Sequence, residues 1–416
     1  MPCFARSVCV KISGMKKSLI PLLLTVFIDS LGFGLIFPLL SPLVMQPDSP
    51  MLLEASLSTR GWVFGFVISI FCIGQFLGGP IAGALSDRFG RKSVICSTLL
   101  IGAVSYLVAG LSICLSSVLL FMISRLFVGL TSGNFAVVQS IVADLSSEKE
   151  KRKYFGLVGM AWGVGFILGP YLGGRIAGLS GITMLFFYSA FLCFVNFLLS
   201  KWFIEETLIE PHKTPWTLLG GVRNIKKALT HPILRGVFVV TFLYSLGWGF
   251  FTEFASIFLM DRFHFGPQEI GNFYAYAGIW VAVCRGVLIQ PFVSRYSPEK
   301  LMRIALVFLS MNLLIFLGSE STWIVFLAVP FIVFPESLIY PNAAAIVSSL
   351  SAKDERGEML GIHSSIQWAS MGILPLFSGA LVANYPLMPI LVSSALTFGA
   401  LLAFSYYFRV QLSRAT

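Results

Sequence analysis

The chain has 416 residues, 56% hydrophobic and only 12% charged, with a formal net charge of +10, whereas an ordinary soluble domain is about 25% charged. Mean hydropathy is +0.86, and phenylalanine alone occurs 39 times. A soluble core of this length has nowhere to bury so much apolar surface, which excludes a purely soluble enzyme; lipid-facing helices accommodate it, because their backbone groups pair within the helix.

The first 14 residues carry Arg6 and Lys11 but no long apolar run. They lack the apolar stretch and small-residue cleavage site of a secretory signal. Met15-Lys16-Lys17 reads as a natural start, with the preceding residues an extension. A helix crosses a bilayer with about 20 apolar residues. Twelve segments fit, at about 18–40, 61–85, 93–112, 118–142, 154–177, 182–203, 234–260, 268–293, 300–318, 322–349, 358–383 and 386–408. Between the sixth and seventh lies a polar stretch with Pro211, Pro215 and Pro232, in which Trp216–Leu229 is expected to form a short amphipathic helix on the membrane surface. The expected organisation is a tail at 1–17, a six-helix half at 18–203, a linker at 204–233, a second six-helix half at 234–408 and a tail at 409–416.

Of the 29 lysines and arginines, 24 fall in the tails, the linker and the loops on the same side of these spans. Arg60, Arg175 and Arg262 lie on the other side, and Arg125 and Arg285 within spans. This asymmetry puts both termini in the cytoplasm. The basic charge is scattered over loops, not gathered on one face, so nucleic acid is not a partner.

The two halves repeat. Glu150, Gly156, Pro170 and Gly174 recur 205 residues later as Glu355, Gly361, Pro375 and Gly379. The fifth span thus corresponds to the eleventh, and the repeats run parallel, the arrangement described for paired six-helix halves of secondary transporters.

Three features carry chemistry. The first is Gly83-Ala84-Leu85-Ser86-Asp87-Arg88-Phe89-Gly90-Arg91-Lys92, a charged turn between two apolar runs. Charges this close to lipid are costly unless the loop sits at a membrane surface. Asp87 at a helix end suits the positive end of another helix, such as the eleventh, and Arg88 and Arg91 are expected to pair with Asp144 at the end of the fourth span. The second is Gly165-Phe166-Ile167-Leu168-Gly169-Pro170-Tyr171-Leu172-Gly173-Gly174. Gly165, Gly169 and Gly173 share one helix face and permit close approach of a neighbour, while Pro170 bends the helix. The third is a set of charges inside spans: Asp29, Arg125, Glu253, Arg285 and Glu336. Intramembrane ionisable groups are functional candidates by default. A carboxyl group in a low dielectric can gain and lose a proton near neutral pH, whereas arginine stays charged and cannot carry the proton. Polar residues such as Gln75, Asn134 and Gln367 and aromatics such as Tyr244, Trp280 and Tyr340 are further candidates for a cavity wall or for simple packing.

These segments resemble the major facilitator superfamily. Residues 83–92 closely resemble its signature G-x-x-x-D-R-x-G-R-K, and residues 165–174 are similar to G-x-x-x-G-P-x-x-G-G of its exporters. Phe27-Ile28-Asp29-Ser30-Leu31-Gly32-Phe33-Gly34 is similar to the first helix of tetracycline/proton antiporters. Arg125-Leu126-Phe127-Val128-Gly129 resembles R-x-x-Q-G, with Val128 in place of glutamine. The resemblance implies an all-α integral membrane fold of twelve helices in two parallel pseudo-repeats. It implies a proton-coupled antiporter in the inner membrane, exporting a small lipophilic drug or metabolite by alternating access, as a monomer. Its charged loop then latches the cytoplasmic side. The alternatives are a proton symporter importing a nutrient and a non-transporting receptor or scaffold on the same fold.

No cofactor is expected. The seven cysteines form no C-x-x-C or His/Cys cluster, so neither metal nor disulfide framework is indicated. There is no G-x-x-x-x-G-K-[ST] for ATP, and the four histidines are scattered, with no nucleophile–base pairing legible.

Overall fold

All twelve expected spans are helices. The computed structural model describes residues 2–146, 150–208, 227–228, 230–231, 233–351 and 355–415. The first helix, α1, covers Pro2–Ile36 and continues through a 3₁₀ turn at Phe37–Leu39 and a short helix at Leu40–Met45. There follow α2 (Leu57–Phe89), α3 (Arg91–Cys114), α4 (Val118–Leu145), α5 (Lys151–Ser180) and α6 (Thr183–Phe203), then α7 (Arg235–Phe263), α8 (Pro267–Arg295), α9 (Pro298–Leu317), α10 (Thr322–Leu350), α11 (Arg356–Asn384) and α12 (Met388–Ala415). Among the described residues, eleven of these helices are long and apolar enough to cross a membrane. The remaining one, α11, is 29 residues long but opens on Arg356, Glu358 and His363. The expected surface helix at Trp216–Leu229 lies outside the described residues, save 227–228.

Two irregularities were not legible in the sequence. Helix α4 is broken at Ser132–Gly133 into Val118–Thr131 and Asn134–Leu145. Helix α8 contains a π-helical turn at Cys284–Leu288.

The chain divides into two compact units, residues 1–39 with 74–220 and residues 40–73 with 221–416. In the first, α1 packs on α5 and α6, and α3 on α4 and α6. In the second, α7 packs on α11 and α12, and α9 on α10 and α12. Each pairing in one unit has its counterpart six helices later in the other. The starts of α5 and α11 lie 205 residues apart, each with a glutamate at the capping position, Glu150 and Glu355. The offset found among glycines and prolines is therefore also an offset of structure.

Polar side chains stitch the first unit together. Asn196 Nδ2 donates to Thr25 O at 3.0 Å and Ser189 Oγ to Gly32 O at 3.2 Å, joining α6 to α1. In the second unit, buried Phe250, Phe254 and Phe258 of α7 meet Phe316 of α9 and Phe64 of α2. Pro335 in α10 removes the backbone donor that Phe331 O would use, and Asn312 Nδ2 of α9 takes its place at 2.6 Å. Large apolar side chains such as Phe191, Phe194, Leu107, Trp323 and Phe377 lie exposed. In water they would be a liability; against lipid they are the outer surface of a membrane protein.

Candidate functional site

The candidate residues fall into three clusters. In the first unit, Asp29 of α1 is half-buried and lies beside the side chain of Asn134. Thr98 Oγ1 of α3 donates to Asn134 Oδ1. Asn134 is the first residue after the break in α4. Arg125, on the other segment of α4, is only 2% exposed. Buried Tyr106 of α3 lies within electrostatic reach of both Arg125 and Asp29. Two charges widely separated in sequence thus share one interior.

The glycine–proline stretch of α5 holds this cluster in place, because its partner is α1. A Cβ at Gly165 would lie 2.6 Å from Phe27 O, and one at Gly169 2.7 Å from Gly34 Cα. A Cβ at Gly173 would collide with Leu35 O. Ser30 Oγ adds a 2.6 Å hydrogen bond to Trp162 O. Backbone meets backbone here, and Pro170 and Gly174 are also buried. The side of α1 bearing Phe27, Leu31, Gly34 and Leu35 is spent on α5, and Asp29 is turned toward α4.

The second cluster is the 83–92 loop. Arg91 is its hub. Its Nη1 lies 2.5 Å from Asp87 Oδ1 and 2.6 Å from Ser86 Oγ, and its Nε lies 3.2 Å from Asp144 Oδ2. Only one of the two arginines expected to take Asp144 does so. The Arg88 guanidinium lies 5.3 Å from the centroid of the Phe89 ring instead. Gly83 is open, with nothing near where a Cβ would be. Gly90 has φ +98°, the left-handed region that suits glycine, and a Cβ there would strike Glu206.

Glu206, just past α6, was read only as linker. Its Oε1 accepts from Arg91 N at 2.8 Å and its Oε2 from Lys92 N at 3.1 Å, so it caps α3 from 115 residues away. Thr207 Oγ1 adds a 3.3 Å bond to Asp144 Oδ2. The sequence signal that could have found it is Gly90 itself, a helix-capping position with no side chain of its own to cap the helix.

In the second unit, Arg285 of α8 pairs with Glu336 of α10, Nη2 lying 3.0 Å from Oε1 and 3.3 Å from Oε2. Tyr244 of α7 and Tyr340 of α10 lie within electrostatic reach of this pair. Glu253 stands apart on α7, nine residues beyond Tyr244, which is about 13 Å along a helix. It is near Tyr274 of α8, whose hydroxyl donates to Thr252 O at 2.7 Å. No group of three or more metal-ligating side chains occurs among the described residues.

The family model described as Major Facilitator Superfamily matches residues 22–334 and 237–415. Multidrug resistance protein 2 of Bacillus subtilis (strain 168) is 28% identical over 366 residues, 87% of each chain. The class H tetracycline resistance protein of Pasteurella multocida is 27% identical over 320 residues, 75% of this chain and 76% of its own length. The crystal structure of the nucleoside transporter NupG has a TM-score of 0.76 at 16% identity, over 94% of this chain and 98% of that one.

Proposed function

We propose, for a chain that belongs to the major facilitator superfamily and is thereby a multi-pass membrane transporter of small molecules, not an enzyme, the role of a proton-driven exporter of drug-like molecules or metabolites. The observation that carries this reading is the backbone contact of the α5 glycine–proline stretch with α1. It joins a sequence similar to that of exporters to the helix bearing Asp29. Relatives named for multidrug and tetracycline resistance support the same direction of transport.

In this reading Asp29 is the proton carrier. Asn134 stands beside it. A proton arriving from outside competes with the substrate for this group, and its release inside resets the carrier. Arg125, always charged, sets the field around Asp29 without exchanging protons. The cluster Asp87, Arg91, Asp144 and Glu206 controls the rocking of the two halves about a midplane site. The protein then lies in the inner membrane as a monomer, with both termini in the cytoplasm, as the placement of its basic residues implies.

The test is substrate accumulation in acid-loaded inverted vesicles, with and without an uncoupler, using compounds found in a susceptibility screen of a deletion strain. Uptake that collapses with the uncoupler is the expected result. Gradient-driven uptake into intact cells would make the protein an importer.

A further inference from the structure

Arg285 is placed oddly for a residue whose work is only to neutralise Glu336. An arginine and a carboxylate that serve each other alone favour two parallel hydrogen bonds, fork to fork. Here a single nitrogen, Nη2, serves both carboxylate oxygens. Among the described residues, no acceptor is placed on Nε or Nη1 of Arg285, which leaves the outer edge of the guanidinium unspent. The two partners also differ in burial. The Arg285 side chain is 45% exposed and that of Glu336 only 7%.

The backbone contributes to this. Arg285 lies within the π-helical turn Cys284–Leu288, and such turns, which re-aim side chains, are frequent at functional sites. Glu336 follows Pro335 in α10, and Asn312 of α9 bonds the Phe331 carbonyl that this proline leaves without its helix donor. The carboxylate is thus the buried member of the pair and the guanidinium the exposed one. A charged edge left open within a span is costly against hydrocarbon and calls for a polar partner. A planar edge of N–H donors with a full positive charge matches a carboxylate.

We propose that the free edge of Arg285 holds a carboxylate group of the transported molecule, so that the substrates are organic anions or zwitterions bearing a carboxylate. This rests on the transport reading above and adds a substrate class to it. Glu336 acts as a positioning residue that presents the guanidinium, while proton exchange stays with Asp29 in the other unit.

The test uses three probes on purified protein in a neutral detergent, where no anionic lipid headgroup competes. They are norfloxacin, which carries a ring carboxylate, its methyl ester, and the carboxylate-free cation tetraphenylphosphonium. Binding is read by titration and by thermal shift. Arg285→Lys keeps a charge beside Glu336 but loses the planar edge. Arg285→Gln with Glu336→Gln removes both charges, avoiding an unpaired buried carboxylate, so that one variant remains usable if the other fails to fold.

Norfloxacin is expected to bind the wild type and to weaken about tenfold or more in both variants, as loss of a charge-assisted pair implies. Any binding of the ester and of the cation should change less than about twofold. Equal losses for acid and ester, unchanged norfloxacin binding in the variants, or no norfloxacin binding to the wild type would each overturn the carboxylate assignment. Those results leave the export reading to the vesicle experiment, in which compounds from the screen are moved or not regardless of their charge.

Discussion

Glu206 Oε1 accepts a hydrogen bond from the backbone N–H of Arg91 at 2.8 Å, across 115 residues of chain. The same residue's side chain pairs with Asp87 and Asp144. One arginine therefore binds three acidic groups, two through its guanidinium and one through its backbone. Glu206→Ala is expected to cost about 1 kcal/mol of stability, the usual worth of a helix cap. Hydrogen exchange at the first turn of α3 should rise while exchange in α5 stays unchanged, and uniform loosening would argue against a local cap.

Asp87→Asn removes one of the two carboxylates that hold the Arg91 guanidinium. The pair is partly exposed, so its contribution is modest, about 1 kcal/mol or less. That corresponds to a change of up to roughly fivefold in a rate it controls. Turnover in vesicles is expected to change by this order while equilibrium substrate binding stays within twofold. A large loss of affinity at normal turnover would place Asp87 in the binding site instead.

Asp29→Asn keeps the shape of the side chain but cannot release a proton. Accumulation against a gradient should vanish, while downhill exchange of substrate and the melting temperature in detergent persist. Gradient-driven flux at the wild-type level would remove Asp29 from the coupling role.

Gly169 and Gly163 lie on one helix in opposite circumstances. A Cβ at Gly169 would press on Gly34, whereas one at Gly163 meets nothing within 4 Å. Gly163→Ala is expected to be neutral or stabilising by up to about 1 kcal/mol, through helix propensity. Gly169→Ala should destabilise by about 1–3 kcal/mol, as overpacking does, and Gly169→Leu should abolish export while the protein still reaches the membrane. Melting curves of the two alanine variants test the contrast directly.

Arg60 is 4% exposed and donates to the carbonyls of Gln46, Pro47, Leu52 and Ala55. It organises the segment between α1 and α2. Arg60→Lys cannot reach these acceptors at once, and a loss of about 2–4 kcal/mol is expected, visible as a lower melting temperature and as protease cleavage between residues 46 and 56.

Spans were legible because lipid imposes one rule on every crossing segment, an apolar helix of sufficient length. The glycine–proline face of α5 was legible as a packing surface, but its partner was not, since periodicity says which face is small and nothing about which helix comes to it. The same limit hid the Arg285–Glu336 pair, whose members were both singled out as charges without being matched. The break in α4 and the π turn in α8 depend on local hydrogen-bond choices that apolar composition does not record. Arg88 was assigned to Asp144 alongside Arg91 because adjacent arginines look alike in a motif. Arg88 lies in the last turn of α2 and Arg91 opens α3, and the left-handed turn at Gly90 between them sends the two side chains to different partners. Glu206 was missed because a cap supplied by a distant segment leaves no pattern near the helix it caps.

The contact between α1 and α5 is made of main chain, with hydrogens where side chains would otherwise stand. Such a seam has no rotamers to change, so it cannot yield by small local adjustments in the way a leucine-lined interface can. The kinematic consequence is that α1 and α5 travel as a single strut. Any displacement of the part of α1 that bears Asp29 must carry the whole glycine–proline stretch with it.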